Sequence, residues 1–172
     1  MGTYGNVVDT SAAQELVDGR TVVLRLELSV HYVKTIEPAD ETKHETLYLS
    51  NIDQMLVSPV ESFFVYAPNP ARGSENVFGV LENALAEVLV PYHFLAGRIS
   101  MNAREGRFEL SCNRAGVCFV AASSEQTVDE LGDIKQLNPI YRKLVPMPEN
   151  ECASVEDSFL LMVQVRIPLL RL

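Results

Sequence analysis

Apolar residues between positions 74 and 98 recur with the spacing of a helix. They stand three and four positions apart, at Val77, Val80, Leu81, Ala84, Leu85, Val88 and Leu89. This recurrence places them on one stripe of an α-helix. Ser74 is suited to cap its N-terminus, Glu75 falls in the first turn where the helix dipole favours a negative charge, and Pro91 ends it. Because a lone helix cannot bury such a stripe, we expect it to pack on a sheet or on another helix.

Two segments before this helix have the pattern of strands. Between Val22 and Tyr32 apolar and polar residues alternate, which predicts one long strand with a single buried face. The apolar members of this alternation are Val22, Leu24, Leu26, Leu28, Val30 and Tyr32. A second strand is predicted at Phe63–Tyr66, ended by Pro68 and Pro70.

Three short strand candidates follow the helix, at 97–101, 107–112 and 117–122. Turns that contain Gly106 and Gly116 separate them, which predicts an antiparallel meander. The segment Phe159–Val165 is nearly all apolar, as in a strand that is covered on both faces. Together the elements predict an α/β (α+β) fold, with helices packed on a mixed sheet.

Composition limits the classes of function. The chain has 172 residues, 47% of them apolar and 22% charged, which indicates one globular domain. A net charge of −9 with scattered basic residues argues against nucleic acid as a partner. We expect no membrane partner and a cytoplasmic location, because no secretory signal pattern and no run of about twenty apolar residues occurs. Cys112, Cys118 and Cys152 lack metal-site spacing and are interpreted as buried thiols.

Few residues suggest chemistry. The sequence has no glycine-rich phosphate loop, no G-x-S-x-G elbow and no histidine pair of the metal-binding type, so we predict no metal site. His31 and His44 are expected in solvent, and His93 is expected to be packed or half-buried. Asp53 is interpreted as pinning a turn rather than as catalytic. Arg98 either binds an anion or forms a buried ion pair that fixes the exit of the helix, and we prefer the ion pair.

An ordered set of short motifs resembles one family. They occur in the order Ile36-x-Pro38, Leu49–Asp53, Ala84–Ile99, Cys112–Ala122, Asp129–Asp133, Leu144–Pro146 and Leu161–Val165. The set resembles the N-terminal part of the plant BAHD acyltransferases, in particular the hydroxycinnamoyl-transferring branch. The resemblance runs from about His31 to Val165.

This resemblance implies a chloramphenicol-acetyltransferase-like fold of two similar domains with a solvent channel between them. It implies transfer of an acyl group from an acyl-CoA co-substrate to an alcohol or amine, with no bound cofactor. In the family the histidine of an H-x-x-x-D motif removes the proton of the acceptor, and a later D-F-G-W-G motif shapes the second domain.

The sequence departs from the family in its catalytic motifs. No histidine is followed by an aspartate four positions later, and D-F-G-W-G does not occur. We therefore predict no catalytic residue, a truncated chain and no activity for the chain alone. The expected organisation is an extension at 1–20, a partial acyltransferase domain at 21–165 and a divergent tail at 166–172. The alternatives are a non-catalytic fragment that binds a full-length relative or acyl-CoA, and a small interaction domain with only fold-level similarity.

Two residues are candidates for substrate binding by resemblance. Ser62 matches a polar residue that lines the channel in hydroxycinnamoyl transferases. Phe64 stands where the shikimate-using relatives carry a tyrosine, which favours an ω-hydroxy fatty acid or fatty alcohol acceptor over a bulky polar one. The alternative is that both are only inner-face residues of a strand. Residues 159–165 would also present an exposed strand through which the chain could self-associate.

Overall fold

Eight strands, two α-helices and three 3-10 helices form the described part of the chain. The structure, a computed structural model, describes residues 13–17, 20–24, 26–55, 60–67, 76–131, 139–146 and 156–168. The strands are β1 (Ala13–Val17), β2 (Arg20–Leu24), β3 (Ser29–Ile36), β4 (Glu45–Tyr48), β5 (Arg98–Asn102), β6 (Arg107–Cys112), β7 (Val117–Ser124) and β8 (Met162–Pro168). The helices are α1 (Asn51–Met55), α2 (Val77–Val88) and the 3-10 helices His93–Ala96, Asp129–Leu131 and Pro139–Leu144. This mixed content confirms the predicted α+β class.

The strands form three sheets within the described ranges. β1 and β2 pair antiparallel. One three-stranded sheet has the order β3-β7-β8, in which β7 is antiparallel to β3 and parallel to β8. The other has the order β4-β6-β5 and is antiparallel throughout. A sheet with both strand directions is present, as the sequence predicted.

The core lies on both faces of β7, whose eight residues are all buried. On one face Phe119 and Ala121 pack in a cluster with Leu89 and with the half-buried Phe78 and Leu85 of α2. A second cluster is formed by Leu26, Leu131, Ile140 and Tyr141. The side-chain amide of Gln164 in β8 donates to the Lys143 carbonyl at 3.2 Å, which ties the 3-10 helix Pro139–Leu144 of this cluster to β8.

The central helix is shorter than predicted. α2 begins at Val77, after Asn76 with a left-handed φ of 58° and no side-chain cap, and it ends at Val88 ahead of Pro91. The predicted cap Ser74 lies outside the described residues. Leu85 and Leu89 of the predicted stripe pack on the sheet, whereas Val80 remains exposed. The buried stripe is therefore narrower than the sequence pattern suggests.

The single long strand predicted at 22–32 is wrong. β2 ends at Leu24 and β3 begins at Ser29, because Leu26 leaves the alternation and is buried in the second cluster with 1% of its surface exposed. Val30 and Tyr32 are exposed rather than on a buried face. β3 stands at one end of its sheet among the described strands and has a bulge between these two residues, so only its last residue, Ile36, reaches the core.

The predicted meander is correct only in its first half. β5 and β6 pair antiparallel, but β7 leaves this sheet and pairs with β3. The turn between β6 and β7 contains Arg114 with a φ of 56° and Gly116 with a φ of 81°. A Cβ at Gly116 would lie 2.8 Å from the Ile36 carbonyl oxygen, so glycine lets the chain cross closely to the other sheet at this point.

Two further predictions concern apolar segments. Residues 60–67 contain no assigned strand, so the strand predicted at Phe63–Tyr66 is wrong in this structure. The strand predicted at Phe159–Val165 is present as β8 but begins later, at Met162. β8 stands at the end of the described sheet order, and its side chains are half-buried rather than fully covered.

Candidate functional site

The segment 60–67 holds both residues that the sequence nominates for substrate binding. Its anchor is Phe63, which is half-buried, packs against the second cluster and has its ring centroid 5.4 Å from that of Tyr141. Glu61 adds an ion pair with Arg142, with 3.5 Å between Oε1 and Nη2. The segment is thereby held against the 3-10 helix Pro139–Leu144, whose residues 141 and 142 supply both contacts.

Ser62 and Phe64 flank the anchor and are exposed. Phe64 has 76% of its surface exposed and Tyr66 has 85%, so the segment presents aromatic side chains to its surroundings. Phe63 is thus packed against the second cluster, while Phe64 keeps most of its surface exposed. Ser62 and Phe64 are therefore exposed on one segment, which Phe63 and Glu61 hold in place.

The three histidines occupy the positions that the sequence suggested. His31 and His44 are exposed, and the His31 ring lies 5.9 Å from that of Phe78. His93 is half-buried, with its Nε2 3.2 Å from Oε1 of Glu45. The other oxygen of Glu45 accepts from Lys43. The hydrogen bonds from Lys43 and then from His93 lower the pKa of Glu45.

This histidine–carboxylate pair lies beside a cysteine but does not activate it. Glu45 and Cys112 are direct partners across the β4–β6 ladder. Burial raises the pKa of Cys112, and the charge of Glu45 adds to this effect. Because the thiolate is the nucleophile, Cys112 is held in its unreactive form. Cys112 and Cys118 are buried, as predicted, and Cys152 lies outside the described residues.

Arg98 joins three separate parts of the chain. Its guanidinium donates to the carbonyls of Gly97 and Gly116 at 2.8 Å and to that of Ala115 at 3.2 Å. It also lies 4.4 Å above the ring centroid of Phe159. Burial lowers the pKa of Arg98, while the charge of Asp157 acts in the opposite direction. Arg98 therefore holds the chain after the helix through three carbonyl oxygens, whereas we preferred a buried ion pair.

The LSNID motif, Leu49–Asp53, stabilises the start of helix α1. Asp53 Oδ2 accepts from the backbone N–H of Ser50 at 2.9 Å and from its hydroxyl at 2.7 Å, and Ser50 Oγ accepts from the Asp53 N–H at 3.3 Å. This reciprocal arrangement caps the start of α1. The interpretation that Asp53 pins a turn is confirmed.

Two sets of side-chain hydrogen bonds between distant parts of the chain were not predicted from the sequence. The Gln54 side chain donates to the Phe108 carbonyl at 2.6 Å and accepts from its N–H at 2.9 Å, so it pairs with β6 as a neighbouring strand would. Glu82 of α2 accepts from Tyr32 at 2.5 Å and from Lys34 at 2.6 Å. Its hydrogen bond raises the pKa of Tyr32 to about 12. The only signal in the sequence is that Tyr32 and Lys34 are two positions apart on one strand face.

The described ranges show neither a membrane-spanning helix nor a metal-binding cluster. None of the helices there has the length and apolar character needed to cross a lipid bilayer. No group of three or more His, Cys, Asp or Glu side chains in the same ranges is placed to hold a metal ion.

Comparison with known proteins assigns the chain to a family. The model of the Transferase family matches residues 26–166, which include every described element from β3 onward apart from the end of β8. The chain therefore belongs to this family, the plant BAHD acyltransferases, as its motifs predicted. The match covers the segment 60–67, Arg98 and the LSNID motif.

Individual relatives agree with this assignment. The chain is 36% identical to "Acyltransferase GLAUCE" of Arabidopsis thaliana over 121 residues, 70% of this chain and 27% of the relative. It is 32% identical to "Omega-hydroxypalmitate O-feruloyl transferase" of Arabidopsis thaliana over 134 residues, 77% of this chain and 29% of the relative. It is 34% identical to "Shikimate O-hydroxycinnamoyltransferase" of Nicotiana tabacum over 145 residues, 81% of this chain and 32% of the relative. The chain thus spans 27–32% of the length of these relatives.

Proposed function

We propose that this chain is one part of an acyl-CoA-dependent acyltransferase with a chloramphenicol-acetyltransferase-like fold. The reaction of the complete enzyme is transfer of an acyl group, of hydroxycinnamoyl type, from acyl-CoA to an alcohol or amine acceptor. The family match across residues 26–166 carries this proposal. Acyl-CoA is the proposed co-substrate, with no bound cofactor, and a second copy of the chain is a further proposed partner. The proposed location is the cytoplasm.

The proposed role of the segment 60–67 is to line the acceptor side of the channel. Phe63 and Glu61 fix its backbone while Ser62 and Phe64 remain exposed, so their side chains are available to a small molecule. A phenylalanine ring offers contact area but no hydrogen bond to a hydroxylated acceptor. This supports an ω-hydroxy fatty acid or a fatty alcohol as the acceptor. The name of one relative, an omega-hydroxypalmitate transferase, is in line with that chemistry.

The chain alone is proposed to be inactive. General acid–base catalysis contributes about 10²–10⁴-fold to the rates of such reactions. The sequence holds no H-x-x-x-D, and its three histidines are elsewhere: His31 and His44 are in solvent, and His93 is engaged with Glu45. None of these contacts involves Ser62 or Phe64. The proposed acceptor side therefore has no base among the histidines of this chain.

Turnover by the purified full chain tests this proposal. We expect no product above the uncatalysed rate when the chain is incubated with feruloyl-CoA and a panel of alcohols and amines that includes ω-hydroxypalmitate. Product would be followed by chromatography, with a full-length relative assayed in parallel as the positive control. Acyl transfer that is lost in His93→Ala or Ser62→Ala would contradict the proposal.

The second candidate function is that of a non-catalytic binding partner. The exposed apolar side chains of Val60, Phe64 and Tyr66 on one short segment favour it, because exposed apolar patches mark interaction sites. In this case the chain binds a full-length relative or acyl-CoA without turnover. A rise in melting temperature with feruloyl-CoA, or capture of a full-length relative, separates this function from that of an inert fragment.

A further inference from the structure

The outer edge of β8 is an open strand edge in the described part of the chain. β8 follows β7 in parallel from the pair Cys118–Met162 to the pair Ser124–Pro168, with no shift of register. The Cys118 N–H donates to the Leu161 carbonyl at 3.1 Å, so the backbone of Leu161 faces β7. Backbone groups alternate in direction along a strand. The N–H and C=O of Met162, Gln164 and Arg166 therefore face outward, where no described strand pairs with them.

The opposite edge of the same sheet differs. β3 carries a bulge between Val30 and Tyr32, and its Lys34 is exposed and bonded to Glu82. Bulges and lysines are common means of preventing one sheet edge from pairing with another. β8 has no bulge and no lysine, although it carries Arg166 and its last residue, Pro168, cannot donate a hydrogen bond. Of the two edges, β8 is the one that can accept another strand over several residues.

The sequence of β8 suits antiparallel pairing with a second, identical strand in which Val165 lies opposite Val165. In the sequence Met162–Pro168, Val165 is flanked first by Gln164 and Arg166, and next by Val163 and Ile167. An antiparallel pair centred on Val165 sets Gln164 opposite Arg166 and Val163 opposite Ile167. Apolar residues then meet apolar ones on one face, and each arginine meets a glutamine rather than another arginine. Like charges directly opposite each other, which destabilise a sheet, are avoided.

We propose that the partner of this edge is a second copy of the chain, paired antiparallel through β8 about a two-fold axis at Val165. In this register Gln164 and Arg166 of each copy exchange their outward N–H and C=O groups with the other copy. The pair of Val165 residues at the axis is of the non-hydrogen-bonded kind, since its backbone groups face β7. Two-fold symmetric contacts of this type close on themselves and yield a dimer rather than a filament. This inference specifies the self-association proposed above and does not depend on acyl transfer.

Sedimentation of the full chain over a range of concentrations measures the dimer. Gln164→Pro removes one outward donor per copy while the bonds between β7 and β8 remain, so we expect the dimer dissociation constant to rise about tenfold or more. Gln164→Ala is the matched control, because it loses the same side chain but keeps the N–H. It should change the constant by less than about threefold, in the range of a single cross-strand side-chain pair. Circular dichroism would check that both variants are folded.

Cysteine cross-linking tests the register itself. Opposed residues of a non-hydrogen-bonded pair have Cα atoms about 4.5 Å apart, within the range of a disulfide. Val165→Cys should therefore form a covalent dimer on mild oxidation. Val163→Cys is the control, because it faces Ile167 of the second copy and lies about 13 Å from its own counterpart. A parent chain that remains monomeric at every concentration, or equal cross-linking by the two variants, would overturn the proposal.

Discussion

Replacing Phe119 by alanine is expected to lower the free energy of unfolding by about 3–5 kcal/mol. Phe119 is in the middle of β7 with none of its surface exposed, and it joins the cluster that α2 covers. Removing its ring loses the transfer free energy of the side chain and leaves a cavity that the neighbouring strands β3 and β8 cannot fill. Urea denaturation followed by circular dichroism measures the effect.

Phe64→Ala is the matched control for this substitution. The same atoms are removed, but from a side chain with 76% of its surface exposed, so the change should stay within about 0.5 kcal/mol. Equal losses for the two variants would show that β7 is not the centre of the core.

Arg98→Ala is expected to cost about 2–4 kcal/mol of stability, because buried acceptors lose their donor. Gly97 and Gly116 are buried, and their carbonyls accept hydrogen bonds from Arg98, as does that of Ala115. The loss of the contact with Phe159 should also loosen the chain that leads into β8. Hydrogen exchange would show this as faster exchange of the β8 amides, and urea denaturation would give the loss of stability.

Two arginine variants sharpen this prediction. Arg98→Lys keeps the charge, but one ammonium cannot match a planar guanidinium that spans three carbonyls, so most of the loss should remain. Arg104→Ala removes an exposed arginine from the turn between β5 and β6 and should stay within about 0.5 kcal/mol. Full stability of Arg98→Lys would mean that charge alone, opposite Asp157, accounts for the role of Arg98.

Local signals in the sequence predicted where most strands lie, but not which strands pair with each other. The strands β5, β6 and β7 begin and end close to the predicted positions, because Gly106 and Gly116 mark the turns between them. A period of two shows which residues share a face, but it does not show which strand lies alongside. The pairing of β7 with β3 joins residues far apart in the chain. Only the tertiary contacts, with the tight crossing at Gly116, fix that choice.

The error at residues 22–32 has a similar cause. The alternation continues through Leu26, but this residue finds its burial with Leu131 and Tyr141, which come about a hundred positions later. No local pattern records such a contact. The edge position of β3 likewise leaves Val30 and Tyr32 exposed even though they have the spacing of a buried face.

Only the resemblance to the acyltransferase family identified Ser62 and Phe64 as candidate site residues. No periodicity distinguishes Ser62 and Phe64 from core residues of a strand, and the strand predicted for them does not form. Phe63, the residue between them, packs on Tyr141, which lies about eighty positions later in the chain. The bonds of Gln54 to Phe108 and of Glu82 to Tyr32 were missed for the same reason.

The most direct test of the central claim is acyl transfer by a chimaera. Residues 26–166 would replace the matching segment of the tobacco shikimate O-hydroxycinnamoyltransferase, which this chain resembles over 145 residues at 34% identity. We expect the folded chimaera to transfer the acyl group from feruloyl-CoA to an acceptor, while the chain alone does not. A chimaera that folds and binds feruloyl-CoA but forms no product with any acceptor would contradict this claim.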